Sequence, residues 1–345
     1  MEIRRLDPHG SDRTELDPWY RAMREGSAAD RVAPIVVERE AVMTSLRSNE
    51  SNPNYDRRAY GAWDGEECVG TAIIGLPRRD NTHVAEIEIA VPPHARRRGV
   101  GRALFDHLYD LARREGRTVL AAEVEVAGAG ENPLEESAGG RFALSFGFSP
   151  KHSEFRLLLD VPVPEEQLKA LEAVAVRRAG EYRVTGWIGL PPAEVLDRFA
   201  EMHTLMDADV PSGELSREPV VYDAERVQRT QERLIEQGYG LVTTLVGDAD
   251  DAPVGYTTMF VAGGAQRDVL QDNTFILRAH RGHGLATLAK VANLRRLAES
   301  YPQAAHVHTW TAEVNDAMHA VNSRLGFRPV ETMYELELDL EQAAE

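Results

Sequence analysis

A chain of 345 residues, 43 % of them hydrophobic, is too long for one ordinary core and points to two domains. A formal net charge of −17 excludes nucleic acid or an anionic membrane as the main partner and is compatible with cationic, amine-bearing ligands. The single cysteine, Cys68, excludes an internal disulfide and reads as a small buried residue in a reducing compartment.

Met1-Glu-Ile-Arg-Arg-Leu-Asp has no apolar signal core, and no run approaches the ~18 apolar residues of a membrane span, so a soluble cytoplasmic protein is expected. Glu2 to Leu6 reads as a short strand, with helical segments around Trp19 to Glu25 and from Arg31 to Asn49. Ala59 to Trp63 and Cys68 to Gly75 flank Asp64-Gly65, a hairpin signal. Val84 to Val91 reads as a central strand. Ala103, Leu104, Leu108, Leu111 and Ala112 then mark one face of a helix packed on a sheet.

Between that strand and helix lies Val91-Pro-Pro-His-Ala-Arg-Arg-Arg-Gly-Val-Gly-Arg-Ala103. A strand that breaks at Pro92 and Pro93 and restarts as a helix behind Gly99 and Gly101 presents unpaired backbone N–H groups, which is an anion site. Arg96, Arg97, Arg98 and Arg102 add positive charge, and the glycines let a diphosphate approach the main chain.

Thr118 to Val126 is the next strand, followed by an irregular stretch at 127–140, a short helix into Ser145-Phe-Gly-Phe148 and a closing strand around Arg156 to Leu159. Val161-Pro-Val-Pro164 and the helical Glu165 to Arg178 read as a junction. The order then repeats: a strand from Tyr182 to Gly189, helices from Pro192 to Asp207 and Asp223 to Gln237, strands Leu241 to Val246 and Val254 to Val261, and Asn273 to Leu277 before a second loop. Gly70 precedes Arg96 by 26 residues, and Gly255 precedes Arg281 by the same 26. Phe146-Gly147-Phe148 and Leu325-Gly326-Phe327 close the two copies. An internal repeat of this size means two copies of one domain.

Arg96-x-x-Gly99-x-Gly101 and Arg281-x-x-Gly284-x-Ala286, each behind a strand, resemble the acetyl-CoA loop of the GNAT N-acetyltransferase superfamily. The resemblance covers nearly the whole chain and implies an α+β fold with a mixed sheet, as two GNAT domains in tandem: 1–160, a linker helix at 161–180, and 181–345. It also implies acetyl-CoA, without a metal, held where the fourth and fifth strands splay apart. Its pyrophosphate would meet amides around Val91, Arg96, Arg97, Arg98, Gly99, Val100, Gly101, Arg102 and Ala103. In the second copy the counterparts are Ile276, Arg281, Gly282, His283, Gly284, Leu285, Ala286 and Thr287. The family's asparagine that steadies the cofactor arm corresponds to Asn315, and to Glu136 in the first copy. The tyrosine that usually reprotonates the leaving thiolate is replaced by Ala143 and Asn322.

The activity implied is transfer of an acetyl group to a primary amine of a small molecule by direct attack in a ternary complex. Glu88, on the strand lining the cleft beside Glu86, is the candidate base, with Asp272 its counterpart. The alternatives are acetylation of a protein, peptide or thiol-precursor amine, or a CoA-binding sensor or scaffold in which the missing tyrosines mean no turnover. Asp207, Asp209 and Glu214 are possible contacts for a cationic substrate. His306 and His308 share a strand face but have no third ligand in view, so no metal is expected.

Overall fold

The computed structural model describes residues 1–10, 13–48, 52–128, 130, 133–263 and 267–341, so 129, 131 and 132 of the expected irregular stretch fall outside the described residues. In chain order the elements are β1 (Glu2–Arg5), α1 (Arg13–Ala28), α2 (Arg39–Ser48), β2 (Tyr55–Asp64), β3 (Glu67–Pro77), β4 (Val84–Ala90), α3 (Val100–Arg114), β5 (Val119–Ala127), α4 (Ala138–Ser145) and β6 (Ser149–Asp160). There follow α5 (Glu165–Ala179), β7 (Arg183–Ile188), α6 (Leu196–Asp207), α7 (Ala224–Glu236), β8 (Gly240–Gly247), β9 (Pro253–Val261), β10 (Asp268–Ile276), α8 (Leu285–Ser300), β11 (His306–Ala312), α9 (Asp316–Leu325) and β12 (Arg328–Asp339). The helix expected from Arg31 starts only at Arg39, because Pro34 disfavours helical backbone just before it.

The chain forms two compact units. Unit 1 comprises Met1–Phe155, Ser212–Glu218 and Val330–Glu345, and unit 2 comprises Arg156–Pro211 and Pro219–Pro329. This differs from a division at 160 and 181. The last strand belongs to unit 1 because Leu336, Leu338 and Leu340 enter the same core as Leu104, Leu108 and Leu120. The helix expected as a linker, α5, is part of unit 2, where Ala175 and Ala179 pack with Leu285, Leu288 and Ala289 of α8.

In unit 1, β1 to β4 form an antiparallel meander, β4 runs parallel to β5, and β12 lies antiparallel to β5. The β4–β5 pairing lasts only from Val84↔Val119 to Glu86↔Ala121, whereas β5 and β12 stay paired from Val119↔Asp339 to Ala127↔Glu331. Beyond Glu86 the two parallel strands therefore part, leaving the facing edge of β4 without a partner. Unit 2 repeats this: β7, β8, β9 and β10 are antiparallel neighbours, and β10 pairs in parallel with β11 only at 268–270 against 306–308. Its β10 also carries a bulge between Gln271 and Thr274. Gln271 fixes that bulge by donating to Thr258 O at 2.8 Å and Thr257 Oγ1 at 3.0 Å.

The repeated Val-Gly landmarks have a packing origin. A Cβ on Gly70 would lie 2.6 Å from Val100 and 3.1 Å from Leu104, and one on Gly255 would lie 2.6 Å from Phe275 O. Gly70 lets helix α3 press on β3, and Gly255 lets Phe275 and Ile276 of β10 lie close against β9. Gly70→Val is therefore expected to destabilise the protein by about 1–3 kcal/mol, as overpacking does elsewhere, measured as a lower urea midpoint with unchanged slope.

Candidate functional site: two splayed strand pairs and their loops

Both loops after the splayed strands use two left-handed positions. In unit 1 they are Arg97 (φ 63°) and Gly99 (φ 82°); in unit 2 they are Gly282 (φ 85°) and Gly284 (φ 74°). Gly99 and Gly284 directly precede α3 and α8, and neither helix has a side-chain cap. The first helical bonds are Ala103 N to Gly99 O and Leu288 N to Gly284 O, so the amides of Val100, Gly101 and Arg102, and of Leu285, Ala286 and Thr287, have no protein acceptor. These bare helix starts suit a phosphate. Gly101 is required for a second reason, since a Cβ there would meet the Phe142 ring at 3.0 Å.

The motif arginines close the loops. Arg96 Nε donates to Val91 O at 3.1 Å, and Arg281 Nε donates to Ile276 O at 2.9 Å, each tying the loop back to the end of its strand. Arg96 also pairs with Asp30 at 2.6 Å. Arg102 stacks over Phe146 at 4.7 Å, while Arg97 and Arg98 are exposed with no partner among the described residues. Unit 2 differs. Arg278 (2.6 Å) and Arg281 both bind Asp209, whose carboxyl they hold below the usual range against the opposing effect of burial. His283 Nδ1 donates to His280 O at 3.2 Å. Unit 1 thus offers a diphosphate two uncommitted guanidinium groups, whereas the two in unit 2 share the single carboxylate of Asp209.

Asn315 caps α9, its side chain accepting from Met318 N at 3.2 Å. The corresponding cap in unit 1 is Ser137, which accepts from Gly140 N at 2.8 Å, one residue beyond Glu136. Ala143 and Asn322 are both buried, and Asn322 donates to Thr311 Oγ1 at 3.2 Å.

Strand register decides which side chains face the splay. Glu86 and Glu88 of β4, Glu123 and Glu125 of β5, and Glu331, Glu335 and Glu337 of β12 all lie on one face of the unit 1 sheet; Ile87, Leu120, Leu336 and Leu338 lie on the other, in the core. Most of these carboxylates are engaged. Tyr55 reaches Glu86 across β3 because Gly75 leaves room for its ring. Arg57 binds Glu88 at 2.9 Å, Arg31 spans Glu125 and Glu331, and Ser216 N donates to both oxygens of Glu337 at 3.0 and 3.2 Å.

Glu123 has no hydrogen-bond or ion-pair partner among the described residues. The residue is exposed, yet partial desolvation by the strands around it, with Glu335 opposite and then Glu125, Glu88 and Glu86, pushes it up to about 7. Sequence reading passed over Glu123; its signal is the period-2 pair Glu123 and Glu125 on the strand after the loop, matching Glu335 and Glu337.

In unit 2 Asp272 lies in the bulge near Tyr256, exposed and accepting from Asn273 Nδ2 at 3.1 Å, while partial desolvation by the surrounding protein raises its carboxyl to about 6. Tyr256 is fully buried; its hydroxyl meets His203 Nδ1 at 3.3 Å, and the His203 ring lies 4.7 Å from Tyr256 and 5.6 Å from Tyr222. Of the other acidic candidates, Asp207 accepts from Val220 N at 2.6 Å and Asp209 is taken by the loop arginines. Glu214 sits in the unit 1 segment, its N–H donating to Lys151 O at 3.0 Å. His306 and His308 each bind a carboxylate, Asp160 at 3.0 Å and Asp268 at 3.1 Å. No group of three metal-ligating side chains occurs among the described residues, and no described helix is long and apolar enough to cross a membrane.

A parallel pair that splays after three residues, followed by a glycine-opened helix start, defines the GNAT fold class, and residues 20–134 match the sequence profile of the Acetyltransferase (GNAT) family. The chain is 24 % identical, with a TM-score of 0.79 over 98 % of both chains, to a tandem GNAT protein from the clavulanic acid biosynthesis pathway. A GCN5-related N-acetyltransferase from Sphaerobacter thermophilus aligns over 98 % of this chain and 95 % of its own at 14 % identity and a TM-score of 0.64. A mycothiol acetyltransferase from Geodermatophilus obscurus is 31 % identical over 188 residues, 51 % of this chain and 50 % of that protein, so the chain spans about half the length of the curated relative it matches. Residues 20–134 thus match the GNAT acetyltransferase family, and the chain as a whole shares the fold of a tandem GNAT protein.

Replacing Arg97 and Arg98 together by Ser is expected to weaken CoA binding about tenfold, whereas replacing Arg278 by Ser changes it little. Isothermal titration at two salt concentrations checks both, and the double variant loses part of the wild type's salt dependence.

Proposed function

We propose that the chain is an acetyl-CoA-dependent N-acetyltransferase acting on a primary amine of a small molecule, by direct attack while both substrates are bound. The observation that carries this is the coincidence, in unit 1, of a bare helix start, two exposed arginines and a carboxylate of raised proton affinity at the mouth of one splayed strand pair. The amides of Val100 to Arg102 with Arg97 and Arg98 would hold the pyrophosphate, and the unpaired edge of β4 would hold the pantetheine arm. Acetyl-CoA, when bound, supplies the acetyl group as an activated thioester.

In this reading Glu88, already paired with Arg57, orients the incoming ammonium, and Glu123 takes the proton that must leave before the nitrogen lone pair can form the new C–N bond. The C–S bond breaks as that bond forms. With Ala143 and Asn322 in place of the tyrosine, water returns a proton to the sulfur. Asp272 would serve as the base of unit 2. The grip of Asp209 on the second loop favours a second reading for that unit alone, as a domain that contributes to folding or sensing without turnover.

Glu123→Gln and Asp272→Asn separate these readings, with thiol release across an amine panel as the readout. Loss of about 10²–10⁴-fold in Glu123→Gln alone assigns catalysis to unit 1. If neither variant lowers the rate, or wild-type protein fails to bind acetyl-CoA in a titration, the proposal falls.

The pH dependence has a definite sign. Glu123 works as a base only when ionised, so kcat/KM rises with pH through a half-point near 7, and this limb disappears in residual Glu123→Gln activity. Its raised folded-state pKa also means that stability falls as pH rises from the unfolded carboxyl value through about 7. Glu123→Gln is therefore expected to melt higher than wild type at pH 8, with the difference shrinking toward pH 5, as read by calorimetry.

A further inference from the structure

We infer that unit 2 is an effector domain: a diphosphate-bearing ligand at its loop takes Arg278 and Arg281 from Asp209, and the chain segment that follows Asp209 then loosens from unit 1. This names the regulation within the sensing reading of unit 2 and rests on that reading.

The connection from α6 to α7 starts and ends in unit 2, but its middle, Ser212–Glu218, belongs to unit 1. Its base in unit 2 is fixed by two carboxylates. Asp207 accepts from Val220 N at 2.6 Å, and Asp209 accepts from Arg278 at 2.6 Å and from Arg281.

On unit 1 the segment forms a strap held by its backbone. Glu214 N donates to Lys151 O at 3.0 Å, Ser216 N to both oxygens of Glu337, and Glu218 N to Asn81 Oδ1 at 2.6 Å. Asn81 Nδ2 and His83 Nε2 donate in return to Glu218 O at 2.9 Å and Ser216 O at 3.2 Å. Gly213 (φ 58°) lets the strap press on β6, since a Cβ there would lie 2.4 Å from Lys151 O.

The strap sits where it can matter to unit 1. Glu86, Ala121 and Glu337 stand in one row across β4, β5 and β12, at the point where the parallel pair ends. Glu337 is 7 % exposed, and Ser216 N is the only hydrogen-bond donor to its carboxylate among the described residues. Losing the strap therefore uncovers one end of the carboxylate face.

Little holds the strap besides those hydrogen bonds. Gly213, Glu214, Ser216, Arg217 and Glu218 are all exposed, which places the segment at the low end of local stability. Only Val210 and Pro211 separate Asp209 from Ser212, a reach of about 10 Å at full extension, so a shift at one end is felt at the other.

A diphosphate gains more from the loop than Asp209 does. Asp209 offers one carboxylate to two guanidinium groups, whereas a diphosphate can bind both and also take the bare amides of Leu285, Ala286 and Thr287. That difference in affinity is what shifts the strap.

The test is hydrogen–deuterium exchange of the full chain, read on the amides of Glu214, Ser216 and Glu218. CoA is expected to speed their exchange about threefold or more. The response is lost in Ala286→Glu, an acidic residue that suits a helix start but repels phosphate, and is kept when Arg97 and Arg98 are both replaced by Ser. Without ligand, Asp209→Asn is expected to give the same acceleration and, by linkage, to tighten CoA at unit 2 in a titration. Unchanged strap exchange in Asp209→Asn, or a CoA response that survives Ala286→Glu, overturns the inference. Should Asp209→Asn fail to fold, Arg278→Gln takes its place, because that side chain is 80 % exposed; it removes one of the two holds and must still speed the exchange.

Acetyl transfer is followed separately. Thiol release from acetyl-CoA with no strap response to CoA sinks the coupling and leaves the transferase proposal standing. A strap response without thiol release across the amine panel does the reverse.

Discussion

The two units depend on one constraint: a parallel strand pair that ends after three residue pairs. Were β4 and β5 to stay zipped past Glu86 and Ala121, the inner edge of β4 would be consumed by the ladder and Glu123 would stand directly beside Glu88. Their parting leaves backbone donors and acceptors that protein does not satisfy, at a place where a ligand can run beside the strand. The nine-residue pairing of β5 with β12 makes this parting possible, since β5 leaves one neighbour by committing its other edge to the second.

Around that frame the two units have diverged in charge rather than in backbone. Their loops share the left-handed positions and the arginine that returns to the strand-end carbonyl, yet one loop keeps free guanidinium groups and the other ties two of them to Asp209. The acceptor sides differ in the same way. Unit 1 presents a row of carboxylates that helps to raise the proton affinity of Glu123, while unit 2 has the single exposed carboxyl of Asp272 near Tyr256. Placing like charges opposite one another, as at Glu123 and Glu335, weakens the fold locally.

Much of this was legible in the sequence. The bare helix starts followed from proline-broken strands and glycines, and the repeat followed from fixed spacings whose cause is the close packing at Gly70 and Gly255. What escaped depended on long-range register. Nothing local pairs Glu335 with Glu123, because an alternating strand such as β12 fits either sheet and only the burial of Leu336 and Leu338 assigns it to unit 1. The bulge that exposes Asp272 is likewise held by a side chain, Gln271, whose partners lie on the neighbouring strand. The capping roles of Asn315 and Ser137 are local, but they show only once the helix ends are known.

The placement of β12 bears on how the protein is made. Residues 330–339 leave the ribosome after all of unit 2, so during translation the first unit waits with the outer edge of β5 bare and part of its hydrophobic interior uncovered. An unguarded strand edge of that length invites pairing with other nascent chains. Chaperone demand should thus fall on the amino-terminal half of this polypeptide, although its sequence is complete first.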